Sequence, residues 1–144
     1  MDKQDQNSRS VCPISCALDI VGDKWTLLVL RDIIYKRKRS FREFLASPEK
    51  IASNILTDRL KKLEACKIVI RRQDPDSKRR ILYSLTEKGM DLIPTTLELL
   101  RWGAKHEVEN KRHDDLIQRF ELNPEQLIAE IRSSLHMDGV SENA

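Results

Sequence analysis

The sequence predicts a mainly α-helical fold carrying one small β-hairpin. Apolar residues recur at helical spacing through most of the chain. The period drops to two only around residues 68–70 and 81–85, on either side of the turn formers Asp74-Pro75-Asp76-Ser77. Capping residues and prolines mark where the helices start and stop.

Residues 1–11 read as a polar tail, and Cys12-Pro13 opens a helix that runs to about residue 20, proline being preformed for a first helical position. Gly22 closes it. Asp23 caps a second helix over residues 24–35. There Trp25, Leu27, Leu28, Val29, Leu30, Ile33 and Ile34 leave little polar face, so this helix should be central and buried. Residues 36–39, all basic, form a solvated connection. Ser40 and Glu43 have capping-box spacing and start a short helix over residues 41–46, which Ser47-Pro48 breaks.

A fourth helix spans about residues 53–66, with Leu56, Leu60 and Leu63 facing inward and Ser53, Asn54, Thr57, Asp58, Lys61 and Lys62 facing outward. In the hairpin that follows, Ile68 and Ile70 on one arm and Ile81, Tyr83 and Leu85 on the other alternate with their neighbours. Arg71, Arg72, Lys78, Arg79 and Arg80 charge its two arms. Thr86 caps a long helix through Leu92, Ile93, Leu97, Leu100 and Trp102, which Pro94 should kink or break. Leu116, Ile117 and Phe120 suggest a short helix. Asn123-Pro124 starts the last one, striped by Leu127, Ile128, Ile131 and Leu135.

Three helices, the second short, followed by a basic-tipped hairpin make the winged helix-turn-helix order. A helix of that kind fits the major groove of duplex DNA, and a cationic wing can ride the neighbouring backbone. Ser53, Asn54 and Thr57, with Asp58 beside them, are candidates for reading bases. Lys61, Lys62, Lys78, Arg79 and Arg80 are candidates for phosphate contacts. Charge distribution agrees: residues 36–80 hold 15 Lys or Arg against 6 Asp or Glu, within a chain of only +3 overall. A winged helix that binds only protein is the alternative, and five basic residues on the hairpin favour DNA over it.

Other classes find little support. Four glycines in 144 residues include no phosphate loop. His106, His113 and His136 are scattered and read as surface histidines, and no serine or cysteine sits in a nucleophile motif. Cys12 and Cys16 lack a second ligand pair, so neither a metal nor another cofactor is expected. Trp25 and Trp102, both on apolar helices, read as core rather than as a ligand cage, and nothing names an effector. Three cysteines are too few for a disulfide framework. No apolar run approaches the ~20 residues of a membrane span, and the polar start is no signal peptide, so the cytoplasm is expected.

The chain also resembles the HxlR-type transcriptional regulators. The resemblance lies in Cys12-Pro13 with Leu18, Gly22-Asp23-Lys24-Trp25-Thr26-Leu27-Leu28 and Phe41-Arg42-Glu43-Phe44. It continues in Ile51-Ala52-Ser53-Asn54-Ile55-Leu56-Thr57-Asp58-Arg59-Leu60, Tyr83-Ser84-Leu85-Thr86-Glu87-Lys88-Gly89 and Leu100-Arg101-Trp102-Gly103. It implies a homodimer joined through its N- and C-terminal helices, with two winged heads reading a palindromic operator. In some members the N-terminal cysteine answers oxidants or electrophiles, which makes Cys12 the candidate redox-sensing residue, while Cys16, one turn inside the helix, is expected to be buried. Residues 12–106 would form the winged domain with its dimerisation helices, and residues 107–144 a helical extension beyond the family's core. Cys66-Lys67 stands where the family usually places glycine after the reading helix.

Overall fold

The structure, a computed structural model, describes residues 11–109 and 114–138. Its elements run α1 (Pro13–Val21), α2 (Lys24–Tyr35), α3 (Phe41–Leu45), α4 (Ser53–Ala65), β1 (Val69–Asp74) and β2 (Ser77–Leu85). They continue as α5 (Glu87–Met90), α6 (Ile93–His106), α7 (Asp114–Leu122) and α8 (Pro124–Asp138).

Local chemistry accounts for the boundaries. Asp23 accepts from the Thr26 N–H at 3.0 Å and from its hydroxyl at 2.5 Å, fixing the start of α2. The Ser40 hydroxyl accepts from the Glu43 N–H at 3.4 Å and donates to the Glu43 carboxylate at 2.8 Å, which caps the start of α3. Pro94 breaks the long helix as expected. α5 ends at Met90, and α6 begins at Ile93 with proline in its first turn, where no N–H is required.

Leu30 and Ile34 of α2, Leu56 and Leu63 of α4, Phe44 of α3 and Ile93 of α6 are fully buried and join the head into one core. Each contributes about 1.5–3 kcal/mol by leaving water. The hairpin pairs Val69 with Leu85 and Arg72 with Leu82, with a bulge between Gln73 and Asp74. Leu85 joins the core and Tyr83 packs against it, its ring 6.2 Å from that of Phe44, while Leu82 is buried outside that cluster and Ile81 is half-buried. The segment before α3 meets one edge of β2: the Arg39 carbonyl accepts from the Tyr83 N–H at 2.7 Å, and Ser40 makes an isolated bridge to Leu82.

The missing glycine after α4 leaves the turn intact. Ile68 N–H bonds Leu63 C=O at 2.9 Å and Lys67 N–H bonds Glu64 C=O at 3.0 Å, a Schellman pair. Lys67 takes the left-handed position at φ 61°, which a side chain occupies at a cost of about 1–2 kcal/mol. Gly89 has a stricter role. A Cβ there would lie 2.3 Å from the Ile68 carbonyl oxygen, so β1 and α5 meet closely only because the residue is glycine.

Candidate DNA interface

Helix α4 presents two faces. Leu56, Leu60 and Leu63 are buried, while Ser53, Asn54, Thr57, Asp58 and Lys61 are exposed on the other side. Its N-cap is Ala52, which offers no side-chain acceptor, and no acid lies in its first turn. The partial positive charge of its amide end is therefore uncompensated by side chains. Thr57 Oγ1 donates to Ser53 C=O at 2.9 Å, and Asp58 accepts from Arg59 at 2.5 Å. Lys62 is turned the other way: its ammonium donates to Asp19 C=O at 2.8 Å, binding the end of α1 to α4.

Arg59 fixes α4 against the start of α2 through a 3.0 Å bond to Asp23. Burial pushes the Asp23 carboxyl up, but the Thr26 hydroxyl and N–H and the Arg59 guanidinium outweigh it and bring its pKa down to about 2. A second brace, not anticipated from sequence, supports the loop before α4. Arg31 grips Glu49 with two bonds of 2.6 and 2.8 Å and also holds buried Asp32 at 2.7 Å. Asp32 accepts from Ser47 as well, and Lys38 donates to Ser47 at 2.7 Å. The Arg31 bonds lower the Glu49 pKa to about 2, against some burial.

On the wing, Lys78, Arg79 and Arg80 are all exposed. Arg80 is engaged, 3.0 Å from Glu43 and 3.8 Å from Asp74. The Lys78 and Arg79 side chains have no ion pair or hydrogen bond among the described residues. Between wing and α3 opens a cleft of about 590 Å³ lined by Arg42, Glu43, Arg79 and Tyr83 among others. Arg42 thereby joins the basic surface. Sequence reasoning passed over it, although its place two residues before buried Phe44 in α3 was the signal for an outward side chain.

The basic block does not form one surface. Arg37 bonds Ser134, Lys38 lies 3.8 Å from Asp32, and Arg39 donates to Ser84 at 3.3 Å. The expected solvated connection is thus partly structural, because each of these side chains meets an acceptor on a packed neighbour.

Other residues depart from expectation. Cys16 is exposed, as is Cys12, because α1 lies on the head's surface and turns Ile14 and Leu18 outward at 71% and 58% exposure. Trp25 is half-buried, but Trp102 is 59% exposed. It stands beside Leu99 on an open apolar face of α6, its ring 5.2 Å from that of His106. Cys66 is half-buried at the end of α4. His106 is exposed, His136 lies 3.0 Å from Glu87, and His113 lies outside the described residues. Among the described residues, no three His, Cys, Asp or Glu are grouped to hold a metal, and no helix is long and apolar enough to cross a membrane.

Comparison with known proteins supplies independent findings. The family model described as HxlR-like helix-turn-helix matches residues 20–111. YdeP, an uncharacterised HTH-type transcriptional regulator of Bacillus subtilis (strain 168), is 37% identical over 95 residues, 66% of this chain and 73% of that protein. YybR of the same organism is 34% identical over 109 residues, 74% of this chain and 86% of that protein. Among solved structures, the oxidized form of the redox regulator HypR is similar with a TM-score of 0.61 and 33% identity. That match covers 67% of this chain and 99% of HypR.

Proposed function

The chain belongs to the HxlR-like helix-turn-helix family of transcriptional regulators, and from that membership we propose that it acts in the cytoplasm as a homodimer binding a palindromic DNA operator. One observation carries the DNA reading. The polar, exposed face of α4 (Ser53, Asn54, Thr57, Asp58, Lys61) with its uncapped amide end goes with a wing whose Lys78 and Arg79 are exposed and have no ion pair among the described residues. Asn54 is suited to pair with adenine in the major groove, and Thr57 offers a hydroxyl and a methyl to base edges. Lys61, Lys78, Arg79 and Arg42 would take phosphates, with Arg80 shared between phosphate and Glu43. Lys62 plays the lesser part, since its ammonium already serves Asp19.

The dimer rests on unspent apolar surface. Ile14 and Leu18 on α1 and Leu99 and Trp102 on α6 are each half or more exposed, more than a head of this size needs to leave in water. A two-fold dimer covers such faces in pairs and sets two reading helices about 34 Å apart, one turn of DNA. Cys12, exposed at the cap of α1 ahead of that face, is placed for an oxidant to alter the pairing of subunits. Its redox role rests on similarity to HypR and on this exposure.

Leu18→Glu and Trp102→Glu test the dimer. Burying one such apolar side chain stabilises by about 1.5–3 kcal/mol. Two-fold symmetry counts each change twice, so the dissociation constant should rise by about a hundredfold or more. Light scattering should show monomers at micromolar chain concentration, with weakened binding to duplex. Variants that stay dimeric at that concentration would overturn the assignment of the interface to α1 and α6.

A further inference from the structure

Helices α7 and α8 follow the stretch that matches the family, which ends at residue 111. They are a packed part of the head. Phe120 of α7 is buried under α6 with the Arg101 guanidinium 5.7 Å from its ring centroid, and Leu127 of α8 is buried as well. Asn123 caps α8, accepting from the Gln126 N–H at 3.2 Å, so the chain reverses and α8 runs back across the molecule. At its far end Arg132 forks between Glu87 at 2.5 Å and Asp91 at 3.3 Å, and His136 reaches Glu87 at 3.0 Å. Leu135 is buried and borders a small cavity with Ile33, Tyr83 and Leu85, while Ser134 accepts from Arg37.

These contacts converge on the root of the wing. Glu87 begins α5 two residues after Leu85, where β2 ends. Arg37 lies two residues before Arg39, whose carbonyl holds the Tyr83 N–H, and Ser40 bridges Leu82. The end of α8 therefore grips both the exit of β2 and the segment bridged to its edge. At the wing tip, by contrast, Pro75 to Lys78 are exposed.

We infer that α8 is a wing brace, and that Arg132 is a positioning residue that sets the wing against α4 through Glu87 and Asp91. This rests on the proposed DNA binding, since a brace matters to function only if the wing touches a partner. The backbone phosphates met by Lys78 and Arg79 lie at a fixed offset from the groove that receives α4, so a wing free to swing loses them first.

Arg132→Glu sets three carboxylates against one another at this joint, and adding Glu87→Lys restores an opposite-charge pair. All variants are tested in the full chain, first by amide hydrogen exchange. Arg132→Glu should speed exchange in β2 at least tenfold while leaving α4 as it was, and the double substitution should reverse this. The second measurement is the salt dependence of binding to a mixed-sequence duplex. If the two wing cations of both heads weaken, the slope of log affinity on log salt should flatten by about 2–4 units. Equal loosening of β2 and α4, or faster β2 exchange with an unaltered slope, overturns the positioning role. If the unsubstituted chain binds no duplex, the proposed function fails, and the brace then stands or falls on the exchange data alone.

Discussion

Arg79→Ala and Arg80→Ala differ by one side-chain position on the wing but should differ clearly in effect. Arg79 has no ion pair among the described residues, whereas Arg80 lies 3.0 Å from Glu43 and 3.8 Å from Asp74. A cation already facing carboxylates gives up less counterion attraction when DNA arrives. Each phosphate contact adds about 0.9 to the salt slope, so losing Arg79 from both heads should flatten it by about 1.8. Over a fourfold rise in salt, that spares the variant about twelvefold of the affinity loss seen in the unsubstituted protein. Arg80→Ala should flatten the slope by less than half as much. Asn54→Ala, on the exposed face of α4, should instead cost about 1–3 kcal/mol at the preferred site and leave the slope nearly unchanged. The assay is fluorescence anisotropy with preferred and scrambled duplexes at several salt concentrations. If Arg79→Ala changes sequence preference while Asn54→Ala does not, the assignment of groove helix and wing is wrong.

Four further outcomes are expected. Gly89→Ala should destabilise the fold by at least about 1–3 kcal/mol, because its new methyl meets the Ile68 carbonyl at 2.3 Å. Lys67→Gly, which relieves a left-handed lysine, should raise the urea midpoint slightly, and a lower midpoint would contradict the strain assigned there. Acid should weaken the head through Asp23 and Glu49, whose pKa values of about 2 lie below their ordinary 3.8 and 4.5. A depressed carboxylate stabilises the fold above its unfolded pKa, so this contribution should be lost as pH falls from about 4.5 to 2. Glu49→Gln should shrink that loss, and an undiminished acid fall in the variant refutes the Arg31 brace. Diamide should reduce duplex affinity of the unsubstituted chain, and Cys12→Ser should remove that response. An equal response in Cys12→Ser, or its removal by Cys16→Ser alone, moves the sensor to another thiol.

Much of this architecture was legible because its signals are local. The Ser40–Glu43 box, the Asp23 cap and Pro94 each act within four residues, so sequence alone located those boundaries. Burial was harder. Trp102 and Cys16 were read inward because an apolar helix stripe does not say whether it meets its own core or a second copy. The edge of β2 was equally hidden, since Arg39 and Ser40 meet Tyr83 and Leu82 across some forty residues. The same distance hid the fates of Arg37, Lys38 and Lys62, which composition counted as one basic surface although their acceptors lie on α8, the Ser47 turn and α1. The exposed residues of α4 and the wing tip were easier, since a solvated face needs no distant partner to define it.

Selection of duplexes from a random pool by the 144-residue chain bears most directly on the central claim. The account predicts enrichment of an inverted repeat whose half-site centres lie about 10–10.5 base pairs, or a multiple of that turn, apart. Asn54→Ala should relax the preference within each half. A pool that emerges without sequence enrichment, or one enriched for a lone half-site bound by a monomer, contradicts it.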